Sequence, residues 1–304
     1  MIEYYKRDNG ENVKKIEHFS EGCWVNVIDP NIEEIDFLCK KFKLKKENIV
    51  DGLDIHESPR FEISEKKVYI YLTAPTEKVL HEYDSSFLIV YSRNQFITIS
   101  KNYLEIFERI LKSKFIHFSE LRNLVRILYI LSRMFEESIK KIRKEVKTNK
   151  AELKRLSNKD VEKLIEYEDK LNEYISSFEA TIGTYSKILR EKSLKFLKKD
   201  EEIIEDLIVD LNETLNLCKQ TLLVLSNMRV YYSTKISHDL NKTVTLLTMA
   251  TIFLSVPTLI AAIYGMNIKL PYQDSSYIFA SLMVLMFLVI GSFLIILRKT
   301  RFMK

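Results

Sequence analysis

The chain has 304 residues, 47 of them Lys or Arg and 42 Asp or Glu, for a formal net charge of +5, and 46% are hydrophobic. That length allows two ordinary domains, and so small a charge excess, much of it in a basic C-terminal tail, gives no reason to invoke nucleic acid. Cys23, Cys39 and Cys218 lack CxxC spacing, which argues against a disulfide framework or a cysteine zinc site and for core thiols in a reducing compartment.

The opening MIEYYKRDNGENVKK has no apolar run, so no cleavable signal peptide is expected and the mature protein should begin at Met1. Residues 1–118 read as an α/β domain. CWVNVI (23–28) is strand-like, and Asp29-Pro30 supplies an N-cap and a first-turn proline for a helix reaching about Phe42. A shorter helix is expected over 46–54. Three further strands follow: KVYIYLTA (67–74), SFLIVYS (86–92) and QFITIS (95–100), the last two joined through Arg93-Asn94 as an antiparallel hairpin. A helix over 103–113 should cover the sheet.

From Ser119, Gly183 is the only glycine or proline before Pro257, and Leu and Ile recur at helical spacing amid Lys and Glu, as in LVRILYILSRMFEESIKKIRKEV. Residues 119–242 therefore read as long helices packed as hairpins or coiled coils, with a turn at Ser157-Asn158-Lys159-Asp160. Asp200, Glu201 and Glu202 mark the start of a last helix that meets no breaker before Tyr264. At 1.5 Å per residue it would be about 100 Å long, more than one compact chain can bury, so lateral partners are implied.

No charge lies between Lys242 and Lys269 or between Asp274 and Arg298, leaving uncharged spans of 26 and 23 residues. Each can cross a bilayer as a helix, and 243–264 and 277–297 are the expected transmembrane segments. Lys235 and Lys242 precede the first; Arg298, Lys299, Arg301 and Lys304 follow the second. The positive-inside rule then places both termini in the cytoplasm, the 265–276 loop outside and the tail 298–304 inside, in a multi-pass protein of the plasma (inner) membrane.

Within the first span the hydroxyls Thr248, Thr251, Ser255 and Thr258 are spaced 3, 4, 3. The same repeat carries Asn241 and Val244 before them and Ala262 and Gly265 after, while Leu246, Ile252, Phe253, Leu259, Ile260 and Ile263 occupy other faces. Carried backward it meets Ser237, Thr234, Val230, Asn227, Leu223, Gln220 and Asn216, whereas Lys219, Arg229, Lys235 and Lys242 fall off it. Small residues can simply let helices approach closely. A neutral polar face free of fixed cations also suits the wall of a cation path shared by several copies. A 3.5-residue repeat keeps that register only in a supercoil, and Pro257, which removes a bond to the Phe253 carbonyl, permits a bend.

Gly265 lets backbones converge at the outer end, and Asn267 could add a ring of neutral oxygens that grips the first-shell waters of Mg²⁺, an ion that dehydrates reluctantly. From Lys242 onward there is no His or Cys to favour a softer metal. Tyr264-Gly265-Met266-Asn267, closing the first of two C-terminal spans, resembles the signature of the CorA magnesium transporter family. ESPRFEISEKKVYIYLTA is similar to that family's Pro-Arg/Lys-x-Glu strand segment, LRNLVRILYILSRMFEESIKKI to its first long helix and NKTVTLLTMATIFLSVPTLIAAIYGMN to its pore helix.

The resemblance implies an α+β membrane protein: a cytoplasmic α/β domain, a long helical stalk with hairpin helices, two C-terminal transmembrane helices, and a funnel-shaped homopentamer embedded in lipid. It implies Mg²⁺ as substrate, with Co²⁺ and Ni²⁺ as further cargo, and Mg²⁺ as a regulatory ligand between subunits. Gly265, Met266 and Asn267 become the selective entry, and Asn241, Val244, Thr248, Thr251, Ser255, Thr258 and Ala262 the pore lining. Asp206 matches the regulatory carboxylate of the long helix, with Asp210 a turn later, and Glu77, or else Glu82 or Asp84, is the expected partner; a merely solvated acidic face is the alternative. The loop IKLPYQDSS departs from the family's acidic loop, having Lys269 and only Asp274. A zinc transporter of the same superfamily and a membrane-anchored coiled-coil sensor are the competing readings. An enzyme is not expected, since His18, His56, His81, His117 and His238 are scattered and no P-loop, GxSxG or HExxH motif occurs.

Overall fold

The computed structural model describes every residue except 8–12, 76–84, 93–94, 113–119, 152–157, 269–270, 272–275 and 300–304. The chain divides into two compact units, Met1–Arg229 and Val230–Lys304.

Seven strands, β1 (Ile2–Arg7), β2 (Val13–Ile16), β3 (Trp24–Ile28), β4 (Arg60–Ser64), β5 (Lys67–Ala74), β6 (Ser85–Ser92) and β7 (Gln95–Ser100), form one sheet in the order β2-β1-β3-β7-β6-β5-β4. Only β3 and β7 run parallel. The sheet is buried on both sides because its strands alternate two apolar sets. Tyr69, Tyr71, Leu88, Val90, Ile97 and Ile99 pack under α1 (Ile32–Phe42) and α2 (Lys46–Gly52) through Leu38, Phe42 and Ile49. Val68, Ile70, Leu72, Phe87 and Ile89 face the other way, into a core shared with α3 (Glu105–Lys112), α4 (Glu120–Ala151), α5 (Asn158–Arg190) and α6 (Lys198–Tyr264). This is the period-2 pattern of a sheet covered by helices on each face. The β6–β7 register, Ser92 opposite Gln95, matches a two-residue connection, although residues 93–94 themselves lie outside the described residues.

Two expectations need correction. The N-cap of α1 is Asn31, not Asp29. Asn31 Oδ1 accepts the Glu34 N–H at 2.8 Å, and Glu34 returns the contact by accepting the Asn31 N–H at 3.0 Å, a capping box. Asp29 has a left-handed backbone (φ 44°), its N–H donates to the Ser100 carbonyl and its carboxylate pairs with Lys101, so it ends the β3–β7 pairing instead. The strands β1 and β2, absent from the sequence reading, extend the sheet beyond β3.

The helices behind the sheet are joined by aromatic and buried polar contacts. Phe135 of α4 lies 4.8 Å from Phe178 of α5, centroid to centroid, and the Tyr185 hydroxyl donates to the Leu128 carbonyl at 2.9 Å. Cys218 of α6 donates its thiol to the Leu171 carbonyl of α5 at 3.4 Å. Burial on this packed surface pushes the Cys218 thiol up to about 12. The second unit holds the remainder of α6 and α7 (Ser276–Lys299).

Candidate ion pathway

Helix α6 has 67 residues and continues through Pro257 to Tyr264. In the first unit its inward face is Ile204, Leu207, Leu211, Leu215, Cys218, Thr221, Leu225 and Met228, at spacings of three and four. The polar repeat read from the sequence lies elsewhere: Asn216, Gln220, Leu223 and Asn227 are all exposed. The cations beside it are drawn onto α5, with Lys219 Nζ 2.8 Å from Glu179 and Arg229 Nη1 3.2 Å from Glu168. Sequence reading put Lys219 and Arg229 off the stripe but not onto these acids, which lie 40 and 61 positions earlier and carry no local signal.

In the second unit Asn241, Val244, Thr248, Thr251, Ser255, Thr258 and Ala262 are exposed. At about 100° per residue they occupy an arc of roughly 100° on the helix. Each of the four hydroxyls donates inward to its own helix: Thr248 to the Val244 carbonyl at 2.9 Å, Thr251 to Leu247 at 2.9 Å, Ser255 to Ile252 at 2.8 Å and Thr258 to Leu254 at 2.8 Å. The O–H is thereby used, and what the stripe presents outward is oxygen lone pairs.

At the end of α6 the Gly265 N–H reaches the Ala261 carbonyl at 3.0 Å and the Met266 N–H reaches Ile263 at 3.2 Å, a tightening last turn. Gly265, Met266 and Asn267 are exposed. Lys269 and Asp274 lie outside the described residues. Among the described residues α6 is the helix long and apolar enough to cross a membrane, and Tyr277–Val289 within α7 is a shorter apolar stretch.

Asp206 and Asp210, one turn apart on α6, are both exposed. Glu77, Glu82 and Asp84 lie outside the described residues. Among the described residues no group of three or more His, Cys, Asp or Glu is gathered to hold a metal. The Pro-Arg-x-Glu segment serves the fold: Arg60 pairs with Asp51 at 2.8 Å, Glu62 at 2.7 Å and Glu57, and its guanidinium lies 3.8 Å over the Tyr71 ring.

A mixed α/β domain continued by a helix of this length, apolar in its last part and striped with oxygen acceptors, has the architecture of a membrane protein of the metal-ion transporter class. Residues 19–299 match the family described as CorA-like Mg²⁺ transporter protein, and the chain belongs to that family. It is 27% identical over 294 residues to the cobalt/magnesium transport protein CorA of Methanocaldococcus jannaschii, covering 91% of this chain and 90% of that one. It is 25% identical over 304 residues to the magnesium transport protein CorA of Campylobacter jejuni, with the same coverage. The complete structure of the Methanocaldococcus jannaschii CorA magnesium transporter superposes with a TM-score of 0.85 at 23% identity, covering 100% of this chain and 99% of that one, a likeness of fold.

Proposed function

We propose that the chain forms a homopentameric channel that carries hydrated Mg²⁺ into the cell, with the α6 stripe as its wall and the Gly265-Met266-Asn267 ring as its entry. The observation that carries this is the direction of the stripe hydroxyls. Water molecules bound to a cation turn their hydrogens outward, so a wall of acceptors whose own O–H groups are spent on the helix can hold the hydrated ion. A wall of outward donors would suit an anion. Asn267 adds neutral amide oxygens at the mouth, where a carboxylate would bind Mg²⁺ too tightly for release.

The ion needs no coupled fuel, because a charge of +2 moving through 100 mV gains about 4.6 kcal/mol. The α7 segment would be the outer transmembrane helix, with both termini cytoplasmic. Intracellular Mg²⁺ would close the channel by binding Asp206 and Asp210 of one subunit together with Glu77 or Asp84 of its neighbour.

The test is Mg²⁺ influx into proteoliposomes containing a Mg²⁺-sensitive dye. The native protein should conduct, and Asn267→Ala should lower influx by tenfold or more without changing assembly. Influx of Zn²⁺ but not Mg²⁺ would replace this reading with a zinc transporter, and impermeability to every divalent ion would leave a membrane-anchored sensor.

A further inference from the structure

A cavity of about 470 Å³ lies between the first turns of α4 and α6, and Arg122, Arg126, Lys199 and Asp200 form its polar lining. Arg122 and Arg126 are one turn apart on α4, so both reach the same opening. The Arg122 Nε is 3.9 Å from the buried Asp200 carboxylate, and the Arg126 guanidinium lies 5.2 Å from the centroid of the Tyr129 ring. Three cations thus surround a hollow that contains one carboxylate. Lys199 sits in the first turn of α6, whose end adds partial positive charge in the same place.

The rest of the wall is apolar: Val125, Tyr129 and Ile203. An inorganic anion would use the cations and leave these side chains idle. The volume falls in the range of small organic ligands, and Tyr129 offers an aromatic face on which a planar group can stack. Guanidinium forks match phosphate oxygens two at a time, and an ammonium adds a point charge. We infer that this cavity binds a nucleoside di- or triphosphate, the phosphates on Arg122, Arg126 and Lys199 and the base against Tyr129. None of these residues takes part in the ion pathway.

Isothermal titration of the full chain in detergent micelles tests this, using ATP and tripolyphosphate with EDTA present so that no divalent cation contributes. ATP should bind saturably, one per chain. Lys199→Gln and Arg126→Gln should each weaken it about tenfold or more, the loss of one charge-assisted contact. Tyr129→Ala should weaken ATP but leave tripolyphosphate unchanged. Lys199 is exposed, so its variant should keep the native Tm, which separates lost binding from lost fold. No saturable ATP binding by the native protein, or variants within twofold of it, would overturn the inference. Tripolyphosphate binding as tightly as ATP, with Tyr129→Ala inert, would overturn the nucleoside assignment. The readout is binding alone, so it stands or falls separately from ion transport.

Discussion

Gly265 closes α6 without a left-handed backbone, so the conformational freedom of glycine is not what the position uses. A Cβ there would lie 3.3 Å from the Ala261 carbonyl that already accepts the Gly265 N–H, and the bare backbone is what allows close approach. Arg60 shows the opposite economy, one side chain holding three carboxylates. Arg60→Ala should destabilise the domain by roughly 1–3 kcal/mol, since Asp51, Glu57 and Glu62 would then repel one another over Tyr71. Urea unfolding of the variant measures this, and a midpoint equal to the native one would show the cluster to be idle. Cys218 has its folded-state value raised from 9.0 to about 12 by burial. Folding therefore favours the protonated thiol, and its contribution to stability is complete below pH 9 and lost as pH rises toward 12. At pH 8 a thiol reagent should label Cys218 only after denaturation. Rapid labelling of the native protein would mean that the α5–α6 contact is open.

Among the elements, α1 offers the sharpest test because its cap is a reciprocal pair. Asn31→Ala should cost about 1 kcal/mol, while Asp29→Gly, which removes the side chain without straining the left-handed backbone, should cost less, since Asp29 caps no helix. Thermal unfolding of the two variants side by side decides it, and a larger loss at Asp29 would restore the sequence-based assignment. That misassignment has a local cause: Asp-Pro and Asn two residues later are both acceptable starts, and only the β3–β7 register occupies the first. The central strands were legible because they are continuous apolar runs. β1 and β2 were not, because IEYYKR and VKKI at the sheet margin are short and half polar, with no continuous apolar run. The helices α4, α5 and α6 were legible from the scarcity of glycine and proline, and α6 begins at Lys198, two residues before the acidic signal. The stripe on α6 was legible as spacing. Its chemistry was not, because whether a hydroxyl presents a donor or an acceptor is settled by its rotamer against the preceding turn.

At the scale of the whole molecule, the face of α6 that turns away from the core poses a problem for a solitary chain. Leu223 and Val230 are 63% and 60% exposed, and both lie on the same register as Asn216, Gln220 and Asn227. Isolated apolar residues on a surface are ordinary, but apolar and amide side chains repeated in one heptad along a helix make a seam that suits a second helix of the same kind. Fully burying a Leu or Val side chain contributes roughly 1.5–3 kcal/mol, and symmetry repeats that gain at every subunit contact. The seam is also neutral, with Lys219 and Arg229 held aside by Glu179 and Glu168, so copies can converge without mutual repulsion. If five copies do so, the native protein in mild detergent should show five times the chain mass by native mass spectrometry. Leu223→Asp, which places a ring of carboxylates in that seam, should shift the population to smaller species while leaving the α/β domain folded, as judged by continued protection from thiol labelling of Cys23, buried in the sheet core. A native protein that runs as a single chain, or a pentamer indifferent to Leu223→Asp, would remove the seam as the basis of assembly, and with it the argument that the α6 stripe faces an axis.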